Sequence, residues 1–275
     1  MPQASADRPI GVFDSGVGGL TVVRALRRLL PTEDVVYLGD TARVPYGTRS
    51  AATVVRYARA CGAFLAAKDV KALVVACNTV SAVALDVLRV DFDRPVLGVV
   101  GPGARAAVAA SARGRVGVLA TPGTVRSGAY TRAVAAIDSR VEVFAQAAPL
   151  LVPLAEEGWT EGDVPEAACR RYLEPLVAQE VDAVVLGCTH YPILRASLGR
   201  ALASLGAPSI PLVDSAEWAA AELRGALAER GLARGEGAAG TLAIHVTDRP
   251  DGFLQTASRF LGAEVKSVEV VDIGP

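Results

Sequence analysis

Short runs of β-branched and aliphatic residues recur along the chain. Most are followed by a stretch in which Ala, Leu and Arg repeat with a helical period. The runs predict strands at Ile10–Phe13, Val35–Leu38, Ala72–Val75, Val96–Val99, Arg115–Leu119, Val141–Ala145, Ala183–Leu186, Pro211–Val213, Thr241–Val246 and Val268–Val271. The intervening stretches predict helices near Gly19–Leu30, Ser50–Lys68, Thr79–Val90, Ala104–Ala112, Val125–Ile137, Pro165–Glu180, Pro192–Leu205 and Ser215–Arg230, with a loop over Gly231–Gly240. Continuous rather than alternating apolar runs mark strands covered on both faces, as in a parallel sheet. The fold class expected is α/β.

Two pairs of strands look alike. Val70-Lys-Ala-Leu-Val-Val-Ala-Cys77-Asn-Thr79 resembles Val181-Asp-Ala-Val-Val-Leu-Gly-Cys188-Thr-His190, 111 positions on. Ile10-Gly-Val-Phe-Asp-Ser15 resembles Val116-Gly-Val-Leu-Ala-Thr121, 106 positions on. In each half the first kind of strand precedes one that ends in cysteine. The expectation is two pseudo-symmetric domains, each a mainly parallel sheet flanked by helices, with the active site in the cleft between them. Gly and Pro in Val99-Val-Gly-Pro-Gly103 suit a hinge. Leu212-Val213-Asp214 reads as a return, giving a discontinuous first domain (1–100 plus 212–275) and an inserted second one (101–211).

Composition narrows the function. Of 275 residues, 51% are hydrophobic and 21% charged, with a net charge of -1. That supports real cores and offers none of the single-sign surface expected of a dedicated nucleic-acid binder. No run approaches the ~18 apolar residues of a membrane span, and the first ten residues have no basic stretch leading into an apolar core. A soluble, cytoplasmic protein is expected.

Four cysteines are too few for a disulfide framework at this length. Cys61 and Cys169 fall among helical Ala and Leu and read as packing residues. Cys77 and Cys188 instead end apolar strands, where open parallel sheets bind ligands and helix N-termini favour a thiolate. The alternative is a pair of small apolar residues closing core strands. With only two histidines and no Cys-x2-Cys spacing, no metal site is expected, although a mixed Cys77/Cys188/His190 site stays open.

Asp14-Ser-Gly-Val-Gly-Gly-Leu-Thr21 matches neither the P-loop nor the dinucleotide fingerprint. It leaves an anion-friendly turn, in which Asp14 accepts a proton, binds an ammonium group, or caps a helix. The loop Tyr37–Thr48 is too long for a simple strand-to-helix turn, and Pro45-Tyr46-Gly47 would cover a small ligand. The three lysines (Lys68, Lys71 and Lys266) lie away from the strand ends where a pyridoxal imine would form. No cofactor is expected.

Asp14-Ser15-Gly-Val-Gly-Gly, Asp40-Thr-Ala-Arg-Val-Pro-Tyr46-Gly47, Ala76-Cys77-Asn78-Thr79 and Gly187-Cys188-Thr189-His190-Tyr-Pro, in this order, resemble the glutamate racemase family. The likeness runs from about residue 9 to the last strand. It implies that Cys77 and Cys188 are the proton donor and acceptor, with Asp14 assisting the first and His190 the second. It implies a substrate site lined by Asp14, Ser15, Pro45, Tyr46, Gly47, Asn78, Thr79, Thr121, Thr189 and His190, with Glu157 as an acidic residue near the second cysteine. It further implies a homodimer that takes L- or D-glutamate and supplies D-glutamate for peptidoglycan.

The chemistry agrees with that resemblance. Exchanging the α-proton without a cofactor needs one acid/base group on each face of the carbon, and thiols serve near neutral pH. Each sulfur would stand about 3–3.5 Å from the carbon, placing the pair roughly 7 Å apart. Two rivals remain: an aspartate racemase, whose second motif resembles Gly-Cys-Thr-Glu, and a two-lobed anion-binding protein without catalysis.

Overall fold

A computed structural model describes residues 5–249 and 251–274. Ten strands form two sheets in which every pairing is parallel. The first holds β1 (Ile10–Asp14), β2 (Val35–Gly39), β3 (Ala72–Val75), β4 (Val96–Gly98), β9 (Leu242–Val246) and β10 (Glu269–Val270), ordered β10-β9-β2-β1-β3-β4. The second holds β5 (Arg115–Ala120), β6 (Glu142–Ala147), β7 (Ala183–Gly187) and β8 (Leu212–Asp214), ordered β6-β5-β7-β8.

The order β2-β1-β3-β4 is therefore repeated as β6-β5-β7-β8. The internal likeness of the sequence is a likeness of topology: β1 and β5 are the central strands, and each cysteine follows the neighbour, β3 or β7. All four residues of β3 and all five of β7 are buried, as helices on both faces require.

Helices fill the connections: α1 (Leu20–Leu29), α2 (Ala51–Ala67), α3 (Asn78–Val83), α4 (Leu85–Asp91), α5 (Val100–Ala110), α6 (Pro122–Ser127), α7 (Ala129–Ile137), α8 (Leu151–Glu156), α9 (Asp163–Ala178), α10 (Arg195–Ser204), α11 (Ser215–Glu229) and α12 (Phe253–Leu261). Single 3-10 turns occupy Thr41–Arg43 and Tyr191–Leu194. Two expected helices are each divided. Gly128, at φ +63°, turns the chain between α6 and α7, and Ala84 (φ -121°) separates α3 from α4. The helices α8 and α12 were not expected at all.

Two further expectations are corrected. Val99-Val-Gly-Pro-Gly103 is not a loop, because all but Val99 lies inside α5. Proline is tolerated in a first helical turn, and Gly103 is small for a packing reason. A Cβ there would lie 3.0 Å from the Tyr130 hydroxyl and 3.1 Å from Ser215 Cβ, where α5 meets α7 and α11. Leu212–Asp214 does not return to the first sheet either. It pairs with β7 in the second. The return is made by α11, whose cap Asp214 accepts from Ala216 N at 2.9 Å. The paired helices α5 and α11 thus carry the chain between the sheets, one in each direction.

Candidate active site

The C-terminal ends of β1, β3, β5 and β7 open onto one cavity of about 370 Å3. Cys77 and Cys188 both line it, as free thiols only 6% and 7% exposed. Ser15, Pro45, Tyr46, Gly47, Asn78, Thr79, Thr121, Thr189 and His190 line it too. The sequence motifs are thus gathered around a single space, with one cysteine contributed from each sheet.

Around Cys77 the direct contact is a neutral hydroxyl. Its thiol donates to Ser15 Oγ at 3.6 Å. A helix N-terminus was expected to favour the thiolate, and Cys77 does cap α3. Burial outweighs that effect, and the nearby Asp14 carboxylate adds to burial. Together they push the thiol up to about 12. Asn78 Oδ1 accepts from the Tyr130 hydroxyl at 2.7 Å. This fixes the amide so that buried Nδ2 has no acceptor in the protein. On the same wall the hydroxyls of Thr79 and Thr121 lie 3.0 Å apart, and Thr79 is 3.3 Å from Thr124.

Around Cys188 the surroundings are charged. His190 Nδ1 lies 3.8 Å from its sulfur and Nε2 lies 2.8 Å from Glu156 Oε1. Burial alone would lower the histidine, but its hydrogen bonds to Cys188 and Glu156 dominate and raise it to about 10. Both bonds favour the protonated ring, with Nδ1 facing the Cys188 sulfur. Phe260 of α12 stacks edge-on against it, with centroids 5.0 Å apart. Arg259, also of α12, donates to the Glu156 carbonyl at 3.0 Å.

Two expected site residues sit elsewhere. Asp14 does not line the cavity. It is 1% exposed beneath the floor, where it accepts from Gly16 N at 2.9 Å and from the Thr189 hydroxyl at 3.4 Å. Burial raises its carboxyl, against the pull of His190 and the neighbouring backbone N–H groups. Glu157 does not line the cavity either, whereas its neighbour Glu156 does. Val152 and Glu156, four residues apart on one face of α8, both line the cavity. Glu157 stands one position on at the helix cap, exposed. The adjacent glutamates differ only in helical phase, which was invisible while α8 went unread.

The glycine-rich turn, whose Ser15 and Gly16 line the cavity, also meets a packing demand. A Cβ on Gly18 would stand 2.2 Å from Thr189 Oγ1 and 2.6 Å from His190 Nδ1. Gly18 is bare because the loop after β7 presses against it. Between the lobes, Gly123 N donates to Gly47 O at 2.8 Å, and a Cβ on Gly123 would meet that same oxygen at 2.7 Å. The cavity lining includes neither lysine nor arginine among the described residues.

Two thiols, one from each of two duplicated parallel sheets, in a single lysine-free cavity match a known class of protein. The chain belongs to the Asp/Glu/Hydantoin racemase family, whose model matches residues 10–223. Within it, the similarity is to glutamate racemases. That of Geobacter metallireducens is 47% identical, with 97% of each chain covered. The crystal structure of the Francisella tularensis glutamate racemase in complex with D-glutamate superposes with a TM-score of 0.90 at 36% identity, covering 98% of each chain. That of Thermus thermophilus in complex with beta-chloro-D-alanine gives 0.86 at 46% identity, covering 97% of each.

Proposed function

We propose that this protein is a glutamate racemase in which Cys77 and Cys188 exchange the α-proton of L- and D-glutamate from opposite faces. The observation that carries the reading is the presence of both thiols in one cavity, each delivered by the same strand of a duplicated unit. The family relatives are glutamate racemases over nearly their whole length.

One cysteine takes the proton as a thiolate while the other returns one as a thiol, and the enantiomers use them in opposite roles. Cys77, pushed to about 12 by burial, rests as the thiol and is poised as the acid. His190 offers Cys188 a charged donor that supports its turn as the base. The substrate's carboxylates are held by neutral donors, among them Ser15, Asn78 Nδ2, Thr79, Thr121 and Thr189. Such donors cost little reorganisation as charge develops at the α-carbon. Asp14 acts from below the floor through Thr189, and Glu156 acts through His190. The bond between Gly47 and Gly123 closes the lobes, which excludes water from the carbanion-like state. No step calls on a cofactor.

The wider reading follows the resemblance of the sequence motifs to the family. The product D-glutamate serves peptidoglycan, the protein works in the cytoplasm, and its assembly is a homodimer. The two lobes divide at α5 and α11. Incubation with L-glutamate in deuterated water, without pyridoxal phosphate, tests the reading by following optical rotation and α-deuterium together. Loss of rotation with one deuterium per turnover is expected. Rotation that holds steady refutes it, and so does racemisation of aspartate in preference to glutamate.

A further inference from the structure

The Pro45–Gly47 wall of the cavity is anchored by a residue far away in sequence. Pairing of β2 with β9 sets Gly39 opposite Val246, and Thr247 N continues the ladder to Gly39 O at 3.1 Å. Thr247 therefore arrives beside Asp40, which is fully buried. The Thr247 hydroxyl accepts from Ala42 N at 2.9 Å and donates to Asp40 Oδ1 at 2.9 Å. The other carboxylate oxygen accepts from Arg43 Nε at 2.7 Å and from the Tyr46 hydroxyl. Tyr46 lines the cavity, whereas Thr247 and Asp40 do not. Its ring packs against Tyr57 at 5.3 Å, and Arg43 covers the same Tyr57 at 4.5 Å.

We propose that Thr247 is a positioning residue for the substrate wall, locking the Asp40 carboxylate so that its second oxygen holds Tyr46 against the cavity. A hydroxyl is needed because one atom must accept from Ala42 and donate to Asp40 at once. Valine has the shape of threonine but would leave Oδ1 buried with no donor, and the carboxylate would turn to find one. The consequence falls on ground-state binding, since Tyr46 shapes the wall and neither sulfur is touched. This inference rests on the functional reading only in taking Tyr46 to face the substrate.

The test is a set of variants of the full chain, Thr247→Val, Thr247→Ser, Tyr46→Phe and the Thr247→Val/Tyr46→Phe double. Thr247→Val is expected to raise KM for both enantiomers about tenfold, the scale of one lost hydrogen bond, with kcat within about twofold. Thr247→Ser keeps the hydroxyl and should restore KM to near its original value. In the Tyr46→Phe background the valine change should raise KM less than about twofold, because the coupled pair is already broken. A full additive effect in the double variant overturns the proposal, as does a fall in kcat with KM unchanged. The 13Cζ resonance of Tyr46, assigned by its loss in Tyr46→Phe, supplies a readout independent of racemisation. It should move in Thr247→Val and not in Thr247→Ser. An unmoved resonance overturns the coupling whatever the enzyme's substrate, whereas racemisation absent in the unmodified protein counts against the function alone.

Discussion

Glu156 and His190 meet at 2.8 Å through Oε1 and Nε2, and the bond is one of two that raise the pKa of the ring that faces Cys188. Remove the carboxylate and the histidine keeps its bond to Cys188 but loses the second partner that holds it up against burial, which favours the neutral form. Glu156→Gln is therefore expected to lower the His190 pKa from about 10. The high-pH limb of the kcat/KM profile should move down with it, and kcat should fall about tenfold or more at pH 8. Glu157→Gln, one residue along and exposed, should leave the profile in place. A profile that moves for Glu157→Gln and stays for Glu156→Gln would give the role to Glu157.

The same histidine ties stability to pH. A group whose pKa is higher folded than unfolded stabilises the fold fully below its unfolded value, near 6.5. That contribution drains away as pH rises and is gone once the folded value, about 10, is passed. Urea unfolding at pH 6, 8 and 10 should show a steady decline, and His190→Asn should flatten part of it.

Neither thiol has a substitute within the cavity. Cys77→Ala and Cys188→Ala should each reduce racemisation at least about 100-fold in both directions, a general acid/base group's usual share. Serine at either position should retain a trace. Circular dichroism with both enantiomers measures this, and full turnover by Cys188→Ala would remove the two-base scheme.

Gly18 tests the contact between the lobes. Gly18→Ala would drive a methyl group into Thr189 and His190. Displacing them by about 1 Å should cost on the order of 100-fold in kcat/KM. Gly225→Ala, where a Cβ meets open space in α11, is the control and should be neutral or stabilising by up to about 1 kcal/mol.

At the far pole of the first sheet, Lys71 pairs with Glu33 in a site where both are buried, and its Nζ also donates to Ala6 O at 2.6 Å. Lys71→Met strands a buried carboxylate and should cost about 3–5 kcal/mol in urea unfolding. KM should not change, because the pair lies at the opposite end of the strands from the cavity. Unaltered stability would mean that Glu33 finds water or Arg234 instead.

Much of this architecture was legible in the chain because its signals are local. Unbroken runs such as Ala-Leu-Val-Val and Ala-Val-Val-Leu mark buried parallel strands, and their repetition with cysteine at the same end exposed the duplication. What escaped reading depended on contacts between distant segments. Leu212–Asp214 has the same strand pattern whichever sheet receives it, so only the pairing with β7 assigns it. Helix α8 is a six-residue turn with a central proline, too short for periodicity to register, and with it went the phase that separates Glu156 from Glu157. Asp40 and Thr247 lie 207 positions apart, and no pattern in either segment announces the other. The glycines were visible, but their reason was not: Gly18 is dictated by a histidine that arrives from the other lobe.

The duplicated strand order gives the cavity two equivalent walls, yet their dressing is unequal, with the His190–Glu156 pair beside one thiol and a serine hydroxyl beside the other. Mirror-image amino acids have equal free energies in solution, so the equilibrium constant of the exchange is fixed at unity. However lopsided the surroundings become, kcat/KM for the L enantiomer must equal kcat/KM for the D. The inequality can only show itself as different saturation: one hand bound tightly and turned over slowly, the other bound loosely and turned over fast, in compensating proportion.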